Sequence, residues 1–170
     1  MINHNTLLYD LLDKTLKATF NGAEWVVNYT EGDLSELSRK LNDSTTKYPI
    51  IWLQSGYSVE RSIAPVLTKI DSCKIFFITK GSTIDRYEKR YDSTYQDVLY
   101  PLLVRFDELI RKTKGISASN TDNFTTFPYN DSTDINKGEQ KITVTDTWDA
   151  LLLETGLTIS DGCYPQYLIK

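Results

Sequence analysis

The chain has 170 residues, of which 40% are hydrophobic and 25% charged, and its formal net charge is −4. This length predicts one domain with a sizeable core, and glycine and proline are too few for a fibrous or wholly disordered protein. No apolar run reaches the length of a membrane span, and Asp10 and Asp13 interrupt the apolar N-terminal stretch. We therefore expect neither a transmembrane helix nor a signal peptide, and we expect the protein to be made in the cytosol.

The acidic excess lies in the last third of the chain. Residues 1–114 contain 16 Lys and Arg against 15 Asp and Glu, whereas residues 115–170 contain 3 against 8. Duplex binding depends on basic side chains that neutralise phosphates, so this distribution argues against sequence-specific nucleic-acid binding. Cys73 and Cys163 lack a secretory context, which predicts free buried thiols.

The first half of the chain alternates helices and strands. Apolar spacing predicts a helix over Asn5–Phe20, and the residues after it predict a short strand over Glu24–Tyr29. Thr30 is the expected N-cap of a second helix that ends near Asn42. The next strand, Tyr48–Leu53, is almost wholly apolar, which is typical of a central strand covered on both faces.

A long hairpin is predicted to follow this strand. Apolar and polar residues alternate after Gly56, and Ala64-Pro65 suits a turn into a second strand that ends as Cys73–Thr79 (CKIFFIT). An irregular loop over residues 54–72 is the alternative. Either way, the strand at Cys73–Thr79 is expected to belong to the core.

The clearest helical period runs over Asp92–Lys112. Its apolar residues recur at three- and four-residue steps, Asp92 is the expected N-cap, and Gly115 follows the C-terminal end. Pro101 removes one backbone hydrogen bond from a helix interior. The sequence therefore predicts either a kink at Pro101 or a helix that begins nearer Tyr100.

The segment from Gly115 to Gln140 is rich in Ser, Thr, Asn and Asp, and we predict an extended polar arm or loop there. Three aromatic residues interrupt it and are expected to dock on this chain or on a neighbouring one: Phe124, Phe127 and Tyr129. Strands are predicted at Lys141–Thr145 and Ala150–Ser160, with a bulge at Gly156. These last strands are expected to form free edges that pair with a neighbour.

The best candidate site is an interface. The loop Lys80–Tyr91 interleaves basic and aromatic residues, a composition that can stack on bases but is more often a solvated loop or a subunit contact. With the aromatic residues of the polar arm, it gives the candidate interface residues Arg86, Tyr87, Lys89, Arg90, Phe124, Phe127 and Tyr129.

No catalytic, cofactor or metal site is predicted. His4 is the single histidine and stands near the N-terminus, which leaves no well-held base for a nucleophile. The carboxylate pairs Asp10 with Asp13 and Asp146 with Asp149 read as helix caps and solvated faces. Nucleotide and zinc motifs are missing from the sequence, so we expect a protein without enzymatic activity.

The predicted order is helix, strand, short helix, strand, long hairpin, long helix, polar arm and terminal strands. This α+β order, with a central antiparallel or mixed sheet packed by the N-terminal and central helices, resembles the tail-terminator or tail-completion proteins of tailed bacteriophages. Locally, TWDALLLETGLTISDGC (Thr147–Cys163), YPIIWL and the CKIFFIT-to-helix segment are similar to neck proteins of crAss-like and other Bacteroides phages.

The resemblance implies one domain over residues 1–170 with no catalytic residues or cofactors. It also implies a homo-oligomeric ring, a hexamer or dodecamer, at the head-tail junction of the virion, which would contact portal or adaptor and tail proteins. The rival hypotheses are a cytosolic protein-binding module, such as a host-factor inhibitor or a chaperone, and a metal-assisted nuclease that uses Asp146 and Asp149.

Overall fold

The computed structural model describes residues 4–13, 16–20, 23–43, 48–63, 65–82, 84–129 and 147–160. These residues form a mixed α+β fold, which confirms the predicted class. Its helices are α1 His4–Leu12, α2 Leu34–Asp43, α3 Tyr87–Arg90, a π-helix Tyr91–Leu99 and α4 Tyr100–Lys112. Its strands are β1 Lys17–Phe20, β2 Ala23–Val26, β3 Asn28–Gly32, β4 Ile50–Gln54, β5 Ser58–Ile63, β6 Val66–Lys80, β7 Ile116–Ala118, β8 Phe124–Tyr129 and β9 Trp148–Ser160.

In the described residues, seven strands form one mixed sheet, and β1 and β2 form a separate two-stranded antiparallel sheet. The sheet order is β3-β4-β6-β9-β7, with β5 also paired to β6 and β8 also paired to β9. Only β3 and β4 are parallel, and the other neighbouring pairs are antiparallel. The long hairpin is confirmed as β5 and β6. The expectation that the last strand forms a free edge is wrong, because β9 is paired on both sides.

The central strands of the sheet are covered on both faces. On one face, Ile51 and Leu53 of β4 pack in a core that also contains the apolar residues of α1 and α4. On the other face, Ile50 and Trp52 pack with the leucines of α2. This alternation confirms the central, doubly covered position that the apolar sequence of this strand predicted.

The first helix is shorter than predicted. It ends at Leu12, and the backbone continues as β1, which pairs antiparallel with β2. Leu16 lies beyond the helix yet stays buried in the same core, so the apolar period runs past the helical end. Asn21-Gly22, interpreted as a helix stop, is outside the described residues.

The predicted strand over Glu24–Tyr29 is two strands in different sheets, β2 and β3. Thr30 lies within β3, so it is not the cap of α2. That cap is Asp33, whose Oδ1 accepts a hydrogen bond of 3.1 Å from the backbone N–H of Glu36. A carboxylate in this position also interacts favourably with the positive end of the helix dipole.

The long helical segment begins earlier than predicted and changes type along its length. Asp92 lies inside it, as part of the π-helix, rather than at its N-cap. The N–H of Tyr100 donates to the carbonyl of Tyr95, five residues back, and Pro101 then falls in the first turn of α4. A proline ring clashes with the carbonyl four residues before it in a regular α-helix, so the wider π-helix accommodates Pro101.

Part of the predicted polar arm belongs to the sheet. Within residues 115–140, β7 and β8 both pair with β9. Residues 130–140 and the predicted strand Lys141–Thr145 lie outside the described part of the chain.

The predicted bulge is present opposite Gly156. The register shift places Asp71 and Ser72 of β6 against this one residue, so the extra residue lies on β6.

Candidate interaction surface

Phe124, one of the predicted interface residues, belongs to an aromatic cluster at the border of the sheet formed by β8. The ring of Phe124, the first residue of β8, contacts the ring of Tyr100 at a centroid distance of 5.6 Å. Tyr100 in turn contacts Tyr91, the last residue of the predicted basic loop. We call Tyr91, Tyr100 and Phe124 the aromatic surface. All three are partly exposed, and Tyr95 lies fully buried beneath them.

The π-helix creates this surface. Nine residues separate Tyr91 from Tyr100, which is two and a half turns of a regular α-helix at about 3.6 residues per turn, so the two side chains would lie on opposite sides. The π-helix turns less per residue. It brings the two hydroxyl groups to 3.2 Å, and Gln96 donates from Nε2 to the Tyr91 hydroxyl at 3.3 Å. The period of a regular α-helix therefore does not predict that these two tyrosines lie together.

The three arm aromatics occupy one strand. Phe124 is 37% exposed and packs on its own chain, one of the two predicted alternatives. Phe127 and Tyr129 pair with Ala150 and Trp148 in the register of β9. The side chains of Phe127 and Tyr129 lie outside the described part of the chain.

The basic residues of the predicted interface lie in different environments. Arg86 is exposed, and so is Lys89, which forms an ion pair of 2.6 Å with Asp85. The hydrogen bond from Lys89 lowers the pKa of Asp85 below its usual value. The Tyr87 side chain is outside the described residues. The charge of Lys89 is thus balanced locally, as expected for a solvated loop.

Arg90 points into the protein rather than to its surface. Its guanidinium forms an ion pair with Asp149 of β9, and both side chains are almost fully buried. The Arg90 Nε also donates to Oδ2 of Asp149 at 3.4 Å, and the Thr94 hydroxyl donates to the same oxygen at 3.0 Å. Gly81 is required beside them, because a Cβ there would lie 2.9 Å from Oδ2. This buried cluster joins the helical segment to the sheet.

The cluster also bears on the predicted carboxylate pair. Asp149 was interpreted as a cap or a solvated residue, and this was wrong, because it is fully buried. Asp146 lies outside the described residues. Among the residues that the structure describes, no group of three or more His, Cys, Asp or Glu side chains could hold a metal ion.

A second polar cluster lies where β3 ends. Glu31 accepts hydrogen bonds of 3.2 Å from the hydroxyls of Tyr29 and Tyr57. Burial, followed by the nearby Glu31 charge, raises the pKa of Tyr57 to about 12. Burial also raises the pKa of Cys73 to about 11, so this thiol is protonated at neutral pH and is a poor nucleophile. In both clusters the polar side chains bond to one another inside the protein.

His4 begins α1 and packs edge-on against Tyr57, with ring centroids 6.0 Å apart. Burial is the main cause that lowers the pKa of His4 below 6.5, with Arg61 acting in the same direction and Glu31 opposing it. Below pH 6.5 the unfolded chain therefore binds more protons at this position than the folded chain. We expect acidification from about pH 7.5 to about pH 5.5 to reduce the free energy of unfolding less in His4→Gln than in the unchanged protein. Urea unfolding of both proteins at the two pH values measures this difference, and equal losses would contradict it.

The opposite border of the sheet contains a strand, β5, that is exposed along its whole length. All six residues of β5 are exposed, and Ile63 is 91% exposed. In the described residues, β5 pairs with β6 alone, so its outer edge has no strand beside it. The other strand at this border, β3, is different, because the backbone N–H of Tyr29 donates to the Asp13 carboxylate at 2.9 Å and its edge is therefore partly closed.

Comparisons with known proteins do not assign the chain to a family. No protein-family model matches it, and no curated protein matches it either. None of the helices in the described residues is long and apolar enough to cross a membrane.

Proposed function

We propose that this protein is a virion structural protein without enzymatic activity, which assembles into a homo-oligomeric ring at the head-tail junction of a tailed phage. In this role it joins the portal or adaptor to the tail. The function depends on contacts between copies and with neighbouring virion proteins, and it needs no cofactor.

The observation that carries the proposal is the direction of the strands at the two borders of the sheet. β3 and β5 run opposite to β6, whereas β7 and β8 run in the same direction as β6. If the axis of a ring runs along the strands, rotation from one copy to the next leaves every strand direction unchanged. In such a ring, the border with β3 and β5 in one copy faces the border with β7 and β8 in the next copy. The facing strands are then antiparallel, which is the more common and slightly more stable pairing.

Two further features support a role based on contact. All six residues of β5 are exposed, and among the described strands only β6 pairs with it, so its outer edge is accessible to a partner strand. The buried Arg90–Asp149 pair and the Tyr29–Glu31–Tyr57 cluster use their polar groups internally. The head-tail position and the portal and tail partners come from the sequence resemblance alone.

The aromatic surface favours a second candidate, a cytosolic protein-binding module. Partly exposed tyrosine and phenylalanine side chains are enriched in protein interfaces, and here they form one group. Such a module would bind a host protein as a monomer and would not need a closed assembly.

Mass photometry with negative-stain electron microscopy of the full chain tests the first proposal. We expect rings of one uniform copy number. Affinity capture from infected and uninfected cells then separates the two functions, because a neck protein should recover portal and tail proteins from infected cells. A protein that stays monomeric at high concentration and recovers a host protein from both lysates would contradict the neck proposal.

A further inference from the structure

Tyr91 and Tyr100 stand at the two ends of the π-helix, since Tyr91 is its first residue and Tyr100 is the residue that follows it. Their hydroxyl oxygens lie 3.2 Å apart. Their ring centroids lie 6.1 Å apart, and the ring planes meet at an angle of 68°. Both side chains are partly exposed, so small reagents in solution have access to them. The backbone therefore holds two accessible phenol groups side by side.

The surroundings of the two rings restrict their motion. Tyr95 is fully buried beneath them, with its ring stacked on that of Tyr91 at 5.7 Å and tilted against that of Tyr100 at 6.4 Å. Phe124 contacts Tyr100 from β8, and Gln96 donates a hydrogen bond to the Tyr91 hydroxyl. Because packing keeps the two phenols together, they meet far more often than tyrosines of separate molecules do.

We propose that Tyr91 and Tyr100 are an oxidative cross-linking site, at which a one-electron oxidant joins the two rings through the carbons ortho to their hydroxyl groups. Each phenol gives one electron to the oxidant and one proton to water, so two oxidant molecules are reduced. The two phenoxyl radicals then form a carbon–carbon bond, and the hydrogens on the bonded carbons move to the oxygens, which restores both hydroxyl groups. In the product these hydroxyls flank the new bond, so their short separation in the structure favours this coupling.

The cross-link staples the π-helix from end to end. Residues nine apart lie on opposite sides of a regular α-helix, so this bond forms only where the helix is wider. Once formed, it fixes the arrangement of the aromatic surface. The site needs neither a second copy of the chain nor a protein partner, so its test is independent of both functions proposed above.

Illumination of the full chain with tris(bipyridine)ruthenium and persulfate generates the oxidant and tests the proposal. Trypsin cleaves after Arg90 and Arg105, so one peptide contains Tyr91, Tyr95 and Tyr100. We expect mass spectrometry to show that this peptide loses two hydrogens and gives few backbone fragments between its first residue and Tyr100. The yield should stay constant when the protein is diluted, because the coupling is intramolecular. A yield that falls in proportion to the dilution would overturn the proposal.

Substitutions identify the rings that react. Tyr100→Phe keeps the ring and removes the phenol, and we expect it to lower the cross-linked fraction of this peptide by about tenfold or more. Tyr9→Phe is the matched control, because Tyr9 is 49% exposed and contacts Tyr29 at 6.3 Å, away from the site. Circular dichroism establishes that both variants are folded. Equal cross-linking of the peptide in Tyr100→Phe and in the unchanged protein would overturn the proposal.

The same reaction in concentrated urea tests the need for the π-helix. Unfolding separates the two rings, and we expect the cross-linked fraction of the peptide to fall by about tenfold or more. An equal fraction in the folded and unfolded chains would show that closeness in sequence is sufficient, and it would also overturn the proposal.

Discussion

Replacing Asp149 with alanine is expected to reduce the free energy of unfolding by about 3 to 5 kcal/mol, because the change leaves the buried Arg90 guanidinium without its carboxylate. Thr94 also loses a buried acceptor. Urea unfolding at neutral pH, followed by circular dichroism, measures the loss. Asp97→Ala is the matched control, since Asp97 is an exposed carboxylate in the π-helix, and it should leave the stability nearly unchanged.

A double-mutant cycle shows how the loss arises. Arg90→Met alone should be as harmful as Asp149→Ala, since it leaves the buried Asp149 carboxylate without its cation. The combination of Asp149→Ala with Arg90→Met removes both charges, and we expect it to recover much of the stability, because apolar replacement of a buried ion pair is often neutral or stabilising. Losses that simply add in the double variant would show that the two residues are not coupled.

Replacing Phe106 with alanine is expected to reduce the free energy of unfolding by about 3 to 5 kcal/mol, the usual cost of a large cavity in a core. Phe106 of α4 and Phe77 of β6 are fully buried, and their rings meet edge to face at 5.3 Å. The contact joins the helix to the centre of the sheet. Denaturant unfolding is again the measurement.

Val104→Ala is the control for this cavity. Val104 lies on the same helix two residues earlier and is exposed, so its truncation removes little buried area. We expect it to cost less than 1 kcal/mol, because alanine also has the higher helix propensity. Similar losses in the two variants would mean that α4 does not pack on the sheet through Phe106.

The strongest periodic patterns predicted the fold. The apolar sequence of β4, the alternation in β5 and the run CKIFFIT each gave the correct strand, because burial of a face imposes its period on the residues. The helical boundaries were less predictable. Leu16 remains in the core beyond the end of α1, so the change from helix to strand at Lys17 left no break in the apolar spacing.

The candidate surface could be predicted only in part. Phe124 was identified because an aromatic residue stands out in a polar segment. Tyr100 was missed, and Tyr91, although part of the predicted loop, was not among the predicted interface residues. The contact between them depends on a π-helix that no apolar period reveals. Asp149 was misread because its partner, Arg90, is 59 residues away in the chain, and local spacing cannot show a pair formed by folding.

The π-helix also sets the spacing between two fixed points. Arg90 is held by the sheet at one end, and Phe106 is held by Phe77 at the other. A wider helix advances less per residue, so the helix type decides how many residues fit between these anchors. The smaller rise per residue over Tyr91–Leu99 therefore shortens the distance that these nine residues span. With Pro101 at this position, both Arg90 and Phe106 then keep their contacts with the sheet.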